Sequence, residues 1–244
     1  MARRLIVLAL IALAGLALAQ PKYGGTLVAG MQTDPVGLDP HITNATSTRN
    51  MLENVYDTLV AFDSSLQIVP ALAESWDVSE DGLTWTFHLR EGVKFHDGDT
   101  LKASDVVFSI NRIKDPAVAS PRGDDFAVVA DIQAPDDLTV VMTLSEPFSP
   151  LLSKLAHSLN VIVSEDVVLA NGDLQNVVVG TGPFRFVEYV PQTRLVLERN
   201  ADFWGADADG NQLPYLDGIT FQFYPDPTAR TTAIQTGSVD FIEY

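Results

Sequence analysis

The spacing of apolar and polar residues changes period several times along the chain. "GGTLVAGMQ" alternates weakly and predicts a strand from Thr26 to about Met31. "TDPVGLDPH" follows with two X-Pro pairs and a glycine, so Thr33 to His41 reads as irregular loop. Met51, Leu52, Val55, Tyr56 and Leu59 then recur at helical spacing, in a helix opening among Asn44 to Ser47. From Ser75 the period becomes two. "SWDV" and "LTWTFHLR" flank the polar turn "SEDG" as a hairpin, with Trp85, Phe87 and Leu89 on one face and His88 on the other. A second hairpin is predicted in "VVADIQAPDDLTVVMTL", turning at Pro135-Asp136-Asp137, and "SPLLSKLAHS" predicts a helix with His157 near its end. "NVVVGTGPFRFVEYVPQTRLVLERN" reads as strand, Gly-rich turn and hairpin. The last stretch is strand, helix, strand, with Asp226 as N-cap, Pro227 in the first turn and Gly237 at the end. A βαβ unit of this kind belongs to an α/β layer.

Before Gln20 the pattern is of another sort. "MARRLIVLALIALAGLALAQ" joins Arg3 and Arg4 to an apolar run from Leu5 to Ala19, closing on Ala17-Leu18-Ala19. Small residues stand at the two positions a signal peptidase reads, and roughly 15 apolar residues fall short of the about 20 that span a bilayer. Residues 1–19 therefore read as a cleavable export signal, which implies a periplasmic or other extracytoplasmic location. Removing the leader's two arginines takes the formal charge from −17 to −19. Such a surface repels nucleic acid and anionic membrane, which argues against a nucleic-acid partner. The chain has no cysteine. That excludes disulfides, thiol catalysis, cysteine-held metals and a lipidated N-terminal cysteine, so the exported chain is not a lipoprotein.

Candidate chemistry is sparse. The four histidines, His41, His88, His96 and His157, form no zinc-spaced pair. "GADADGNQLPYLD" places Asp207, Asp209 and Gly210 in calcium-loop register, but Gly205 and Leu216 stand where ligands belong, so it reads as an acidic solvated turn. Gly180-Thr181-Gly182 is followed by Pro183 and strand-patterned "FRFVEYV", leaving no helix N-terminus to receive a phosphate. No GxSxG elbow is present. The densest polar segment, "EGVKFHDGDTLKASDVVFSINRI", has a structural reading. His96 points away from Val93 and Phe95, toward solvent or a sheet edge, and Asp97-Gly98 turns the chain. Ala103, Val106, Val107, Ile110 and Ile113 mark an inward helical face, with Asp105, Ser109 and Arg112 away from it and Asp99, Thr100 or Ser104 as caps. No metal, cofactor or catalytic residue is expected, and Trp76, Trp85 and Trp204 read as packing residues.

"LAESWDVSEDGLTWTFHLREGVKFHDGDTLKASDVVFSINRIKDP" resembles the hallmark region of the extracellular solute-binding proteins of family 5, the peptide-, dipeptide- and nickel-binding subunits of ABC importers. "GGTL", "GLDPH", "ENVYDTLVAFD", "VPALAESW", "VGTGPFRF", "LERNADFWG", "LPYLDGITFQF" and "IQTGSVDF" extend the resemblance in the family's order. Lys102 departs from it, standing where threonine is usual. The resemblance implies an α/β lobe of the periplasmic-binding-protein kind carrying an inserted smaller α+β domain. The lobe would begin at 20–44, the insertion occupy 45–168, and the lobe return over 169–244. Family members are about twice this length, so the second large lobe is expected to be missing from this chain. The implied function is closure around an oligopeptide, dipeptide, nickel complex, oligosaccharide or opine and delivery to membrane permease subunits. By position after the first strand, Met31, Gln32, Thr33 and Asp34 are expected to line the cleft, and Arg122 of "ASPRGDD" to reach it. A secreted hydrolase and a truncated, ligand-incompetent interaction domain are the alternative readings.

Overall fold

The structure, a computed structural model, describes residues 21–243; the expected leader lies outside them. In chain order the elements are β1 (Thr26–Met31), α1 (Thr46–Leu52), β2 (Val60–Phe62), β3 (Ile68–Pro70), β4 (Ala73–Val78), β5 (Thr84–Leu89) and α2 (Ala103–Lys114). They continue as β6 (Val129–Asp136), β7 (Thr139–Leu144), α3 (Leu151–Leu155) and α4 (Glu165–Asn171). The chain then adds β8 (Phe184–Val190), β9 (Arg194–Arg199), β10 (Gly218–Phe223), α5 (Pro227–Gln235) and β11 (Phe241–Ile242).

The lobe is a five-stranded sheet of order β11-β1-β10-β9-β8. β1 runs parallel to β10 and β11, while β9 is antiparallel to β10 and β8 to β9. The expected βαβ unit is present: Asp226 Oδ1 accepts from the Ala229 N–H at 2.7 Å, and α5 carries the chain from β10 across to β11. Between β1 and β8 in sequence sits a second sheet, β4-β5-β7-β6, with the β2–β3 hairpin beside it. Alternation works there as expected. Phe87 and Leu89 of β5, with Val140, Met142 and Leu144 of β7, are buried against Val106, Ile110 and Ile113 of α2. The second turn sits one residue later than the pattern implied. Asp136 pairs with Thr139, its side chain accepts from the Leu138 N–H, and Pro135 lies at an irregularity within β6.

The helix read through Leu59 stops at Leu52, although Val55, Tyr56 and Leu59 are all buried. The Asn54 side-chain amide donates to the carbonyls of Asn50 and Met51, giving the orphan groups of the last turn a partner that ends it. α1, Val55 and Tyr56 pack with Ala29, Met31, Phe221 and Phe223 of the lobe, as do Val161, Val163 and Val168. The small-domain core begins at Leu59 and ends at Ile162. Met51, Leu52, Val55, Tyr56, Val161, Val163 and Val168, expected within the insertion, thus pack in the lobe's core.

α2 joins the two units because it is buried on both faces. Its apolar face enters the small-domain core, while Asp105, Ser109 and Arg112 are also buried, not solvent-facing as the pattern implied. Arg112 forms a bidentate ion pair with Asp39. Ser109 Oγ accepts from the Val163 N–H at 2.9 Å, and Asp105 Oδ1 accepts from the Glu165 N–H at 3.0 Å. The N-cap is Lys102, whose N–H donates to Asp105 Oδ2; none of Asp99, Thr100 and Ser104 serves.

His96 also departs from expectation. Its Nδ1 accepts from the Gly180 N–H at 3.3 Å, so its Nε2–H donates to the Gly182 carbonyl at 3.0 Å. Burial lowers its pKa to about 4, which keeps the ring neutral and both bonds intact. The glycines of that turn are demanded by proximity: a Cβ on Gly180 would stand 2.1 Å from the Val55 carbonyl oxygen. Thr181, fully buried, donates to Asp57 Oδ2, as does the Trp204 indole.

Candidate functional site

Open α/β sheets bind ligands beyond the carboxyl ends of their parallel strands. Here that edge is formed where β1, β10 and β11 end at Met31, Phe223 and Ile242. The backbone ladder runs on past the strands: the Tyr224 N–H donates to the Met31 carbonyl at 2.8 Å and the Glu243 N–H to Gly30 at 3.0 Å. The rim is therefore built on rigid backbone. Gln32 and Thr33 project from it as exposed residues.

Asp34 is half-buried and turns back onto the β8–β9 hairpin, where Oδ2 accepts from the Tyr189 hydroxyl at 2.9 Å and from the Gln192 N–H. Burial, followed by the bond to Asp34, pushes the Tyr189 pKa up to about 12, so the phenol remains a donor. Met31 is 2% exposed, with its side chain in the lobe core. It contributes its carbonyl to the ladder and a floor to the rim. Glu243 closes the other side. Its Oε2 accepts from the Gln32 N–H at 3.2 Å and its Oε1 from the Asn50 side chain at 3.4 Å. No local pattern marked Glu243; only the parallel pairing of β11 with β1 brings it there.

Arg122 stands elsewhere. It is 5% exposed, and its five N–H bonds go to Asn160 Oδ1, Asn44 Oδ1 and the carbonyls of Thr43, Pro40 and Leu159. The donors a solute would use are already taken by protein oxygens. Burial lowers its pKa to about 10, which still leaves it protonated at neutral pH. It does not share the rim with Gln32, Thr33 and Asp34; it fastens the far end of the same loop. Next to it, His41 is fully buried and donates from Nε2 to the Val161 carbonyl at 3.0 Å; desolvation lowers its pKa to about 4. Asp39 feels burial raising its pKa and Arg112 lowering it, and the net direction is down, so the pair is ionised.

No group of histidines and carboxylates among the described residues could hold a metal ion. The Asp207 loop is satisfied internally: Asp207 accepts from the Asp209 and Asn211 N–H groups, the Asn211 side chain and the Tyr215 hydroxyl. No described helix is long and apolar enough to cross a membrane.

An α/β sheet carrying an inserted α+β domain, with a bare rim on its parallel strands, is one lobe of a periplasmic-binding-protein-like fold. Solved structures agree. The ABC transporter-associated periplasmic binding protein DppA of Helicobacter pylori, in complex with the peptide STSA, superposes with a TM-score of 0.79 at 34% identity over 89% of this chain and 46% of its own. The binding protein AgaA of A. tumefaciens R10, in complex with agropinic acid, gives 0.85 at 34% identity over 90% of this chain and 44% of its own. The glutathione-binding protein GsiB of Pectobacterium atrosepticum is 35% identical over 205 residues, 84% of this chain and 39% of that protein. Residues 67–244 match the description "Bacterial extracellular solute-binding proteins, family 5 Middle". The chain belongs to family 5 of the bacterial extracellular solute-binding proteins, and it spans less than half the length of the relatives it matches.

Proposed function

We propose that this chain supplies one wall of an exported solute-binding site that serves an ABC importer, taking peptides or a related small polar solute and passing them to membrane permease subunits. The observation that carries this reading is the rim at Gln32 and Thr33, exposed on a ladder of backbone hydrogen bonds and bounded by Asp34 and Glu243. Exposed side-chain amide and hydroxyl groups on fixed backbone suit the donors and acceptors of a peptide main chain, and their rigidity limits the ordering cost of binding. Three proteins that resemble it are named for or solved with glutathione, a short peptide and agropinic acid, polar molecules that carry carboxylate and amide groups. Binding works here through differential affinity for a closed arrangement of lobes, with no bond broken.

The test is an NMR titration of the chain with glutathione and with a tetrapeptide. Backbone amide shifts centred on Gln32, Thr33 and Glu243 are expected, at millimolar affinity because only one wall is present. Shifts confined to other surfaces, or hydrolysis of the peptide by the purified protein, would overturn the reading.

A further inference from the structure

The loop that carries Gln32 and Thr33 is fastened on both sides of them. Before them, the Gln32 N–H donates to Glu243. After them comes Asp34, which the ring of Pro35 biases toward extended backbone. The Asp34 side chain is taken by the tip of the β8–β9 hairpin, where Oδ2 accepts from the Tyr189 hydroxyl and from the Gln192 N–H. These donors lie 155 and 158 residues further along the chain, so the contact is a tertiary one and not part of the loop's own turn.

The hairpin tip is shaped for that contact. The Thr193 N–H donates to the Val190 carbonyl at 3.0 Å, closing a four-residue turn with Pro191 and Gln192 at its centre. Proline suits the first central position. The second has φ +58°, where glycine or asparagine is the usual residue, yet glutamine occupies it. The N–H that this unusual backbone directs goes to Asp34 and not to the turn's own bond. Tyr189 is held as well, its ring edge-on to Phe223 with centroids 6.2 Å apart. Phe223 ends β10 and donates its N–H to the Thr193 carbonyl at 3.0 Å, and the next N–H, that of Tyr224, goes to Met31. The hairpin tip and the start of the loop therefore hang on the same end of β10.

We propose that the hairpin tip is a latch on the solute-facing loop. Tyr189 is a positioning residue that, with the Gln192 N–H, holds Asp34 and so presents Gln32 and Thr33 in one arrangement. The inference rests on the reading of the rim as the binding wall. Two donors on one carboxylate oxygen make charge-assisted bonds, stronger than those between neutral groups. With Oδ2 committed to them, Asp34 works by holding the loop and not by gripping the solute. An unlatched loop is competent for only part of the time, and apparent affinity falls by that fraction.

Tyr189→Phe keeps the ring and its contact with Phe223 and removes only the hydroxyl; an unchanged NMR spectrum of the small domain checks its fold. In the solute-free variant, heteronuclear NOE and amide exchange should report a looser backbone at Gln32 and Thr33. Glutathione, followed at the Glu243 amide, should bind about fivefold more weakly. Asp34→Ala should loosen the loop at least as much, and adding Tyr189→Phe to it should change neither reading further, because the hydroxyl acts through that carboxylate. A tyrosine needed only for packing would leave loop order and affinity unmoved. The proposal is overturned by a folded Tyr189→Phe chain with wild-type order at Gln32 and Thr33, or by a second, additive loss in the double variant. Glutathione that moves no rim amide of the unaltered chain would count against the rim as the binding wall, while loosening of the solute-free Tyr189→Phe loop would still support the latch.

Discussion

The loop from Gln32 to Asn44 has two ends with opposite character. At the far end the charged groups are matched: Arg122 reaches five oxygens, Asp39 is paired with Arg112, and both side chains of that pair are almost wholly buried. At the near end Gln32 and Thr33 stand exposed. The difference teaches how the proposed binding surface would be prepared. A loop anchored through a buried network has already lost its conformational freedom on folding, so a ligand need not order it again. The locked end is therefore expected to govern stability and the open end binding, and substitutions can separate the two.

The largest effect is expected at the locked end. Arg112→Met keeps the stem but leaves Asp39, 0% exposed, as an uncompensated carboxylate that also accepts from the His41 and Leu174 N–H groups. Removing one partner of a buried pair costs about 3–5 kcal/mol, measurable by urea denaturation. The pair also has an acid limit. Asp39 sits below its ordinary value of 3.8, so its contribution is present above that pH and is lost as pH falls through the lower folded value. The Arg112→Met variant should lose this acid dependence along with the stability. A loss under about 1 kcal/mol would show that the network does not hold the loop.

Next comes the glycine turn against the segment that follows α1. Gly180→Ala places a methyl 2.1 Å from the Val55 carbonyl oxygen and 2.8 Å from the Tyr56 ring, where backbone must shift to admit it. Overpacking of this kind costs about 1–3 kcal/mol. Gly98→Ala is the contrast: its Cβ meets nothing within 4 Å, and the cost there comes only from its φ of +100°. A larger loss at Gly98 than at Gly180 would reverse the assignment of strain.

These positions show what the sequence could and could not disclose. The two hairpins and the βαβ unit were readable because each is a local pattern of period two or a capped helix. The second face of α2 was not. Asp105, Ser109 and Arg112 carry the signature of a solvated face, and their partners Glu165, Val163 and Asp39 lie 60, 54 and 73 residues away. Arg122 was hidden for a related reason, since three of its five acceptors are backbone carbonyls, which leave no trace in residue type. At the rim, the position of Gln32 and Thr33 followed from the strand before them, whereas Glu243 needed the parallel register of β11.

The histidines sharpen the comparison by pH. His41 at the locked end and His96 at the glycine turn are both held neutral, each with a pKa lowered to about 4 by burial. The ordinary value is 6.5, so the unfolded chain binds protons more readily between these limits. Stability should be complete above about pH 6.5 and fall as pH drops toward 4, by about 1.4 kcal/mol per pH unit for each histidine. His96→Gln should remove one proton's share of that slope, read from urea midpoints at several pH values. An unchanged slope would mean that His96 titrates alike in both states.

The smallest stability effect is expected at the open end, where the change in binding should be most specific. Gln32 and Thr33 are exposed, and the backbone bonds of Gln32 survive truncation of its side chain, since Glu243 accepts from its main-chain N–H. Gln32→Ala with Thr33→Ala should therefore shift stability by no more than about 0.5 kcal/mol. The same double variant should lose the glutathione-induced amide shifts at Glu243. A variant that keeps the glutathione response would move the solute off the rim altogether, leaving the anchored loop a purely structural device.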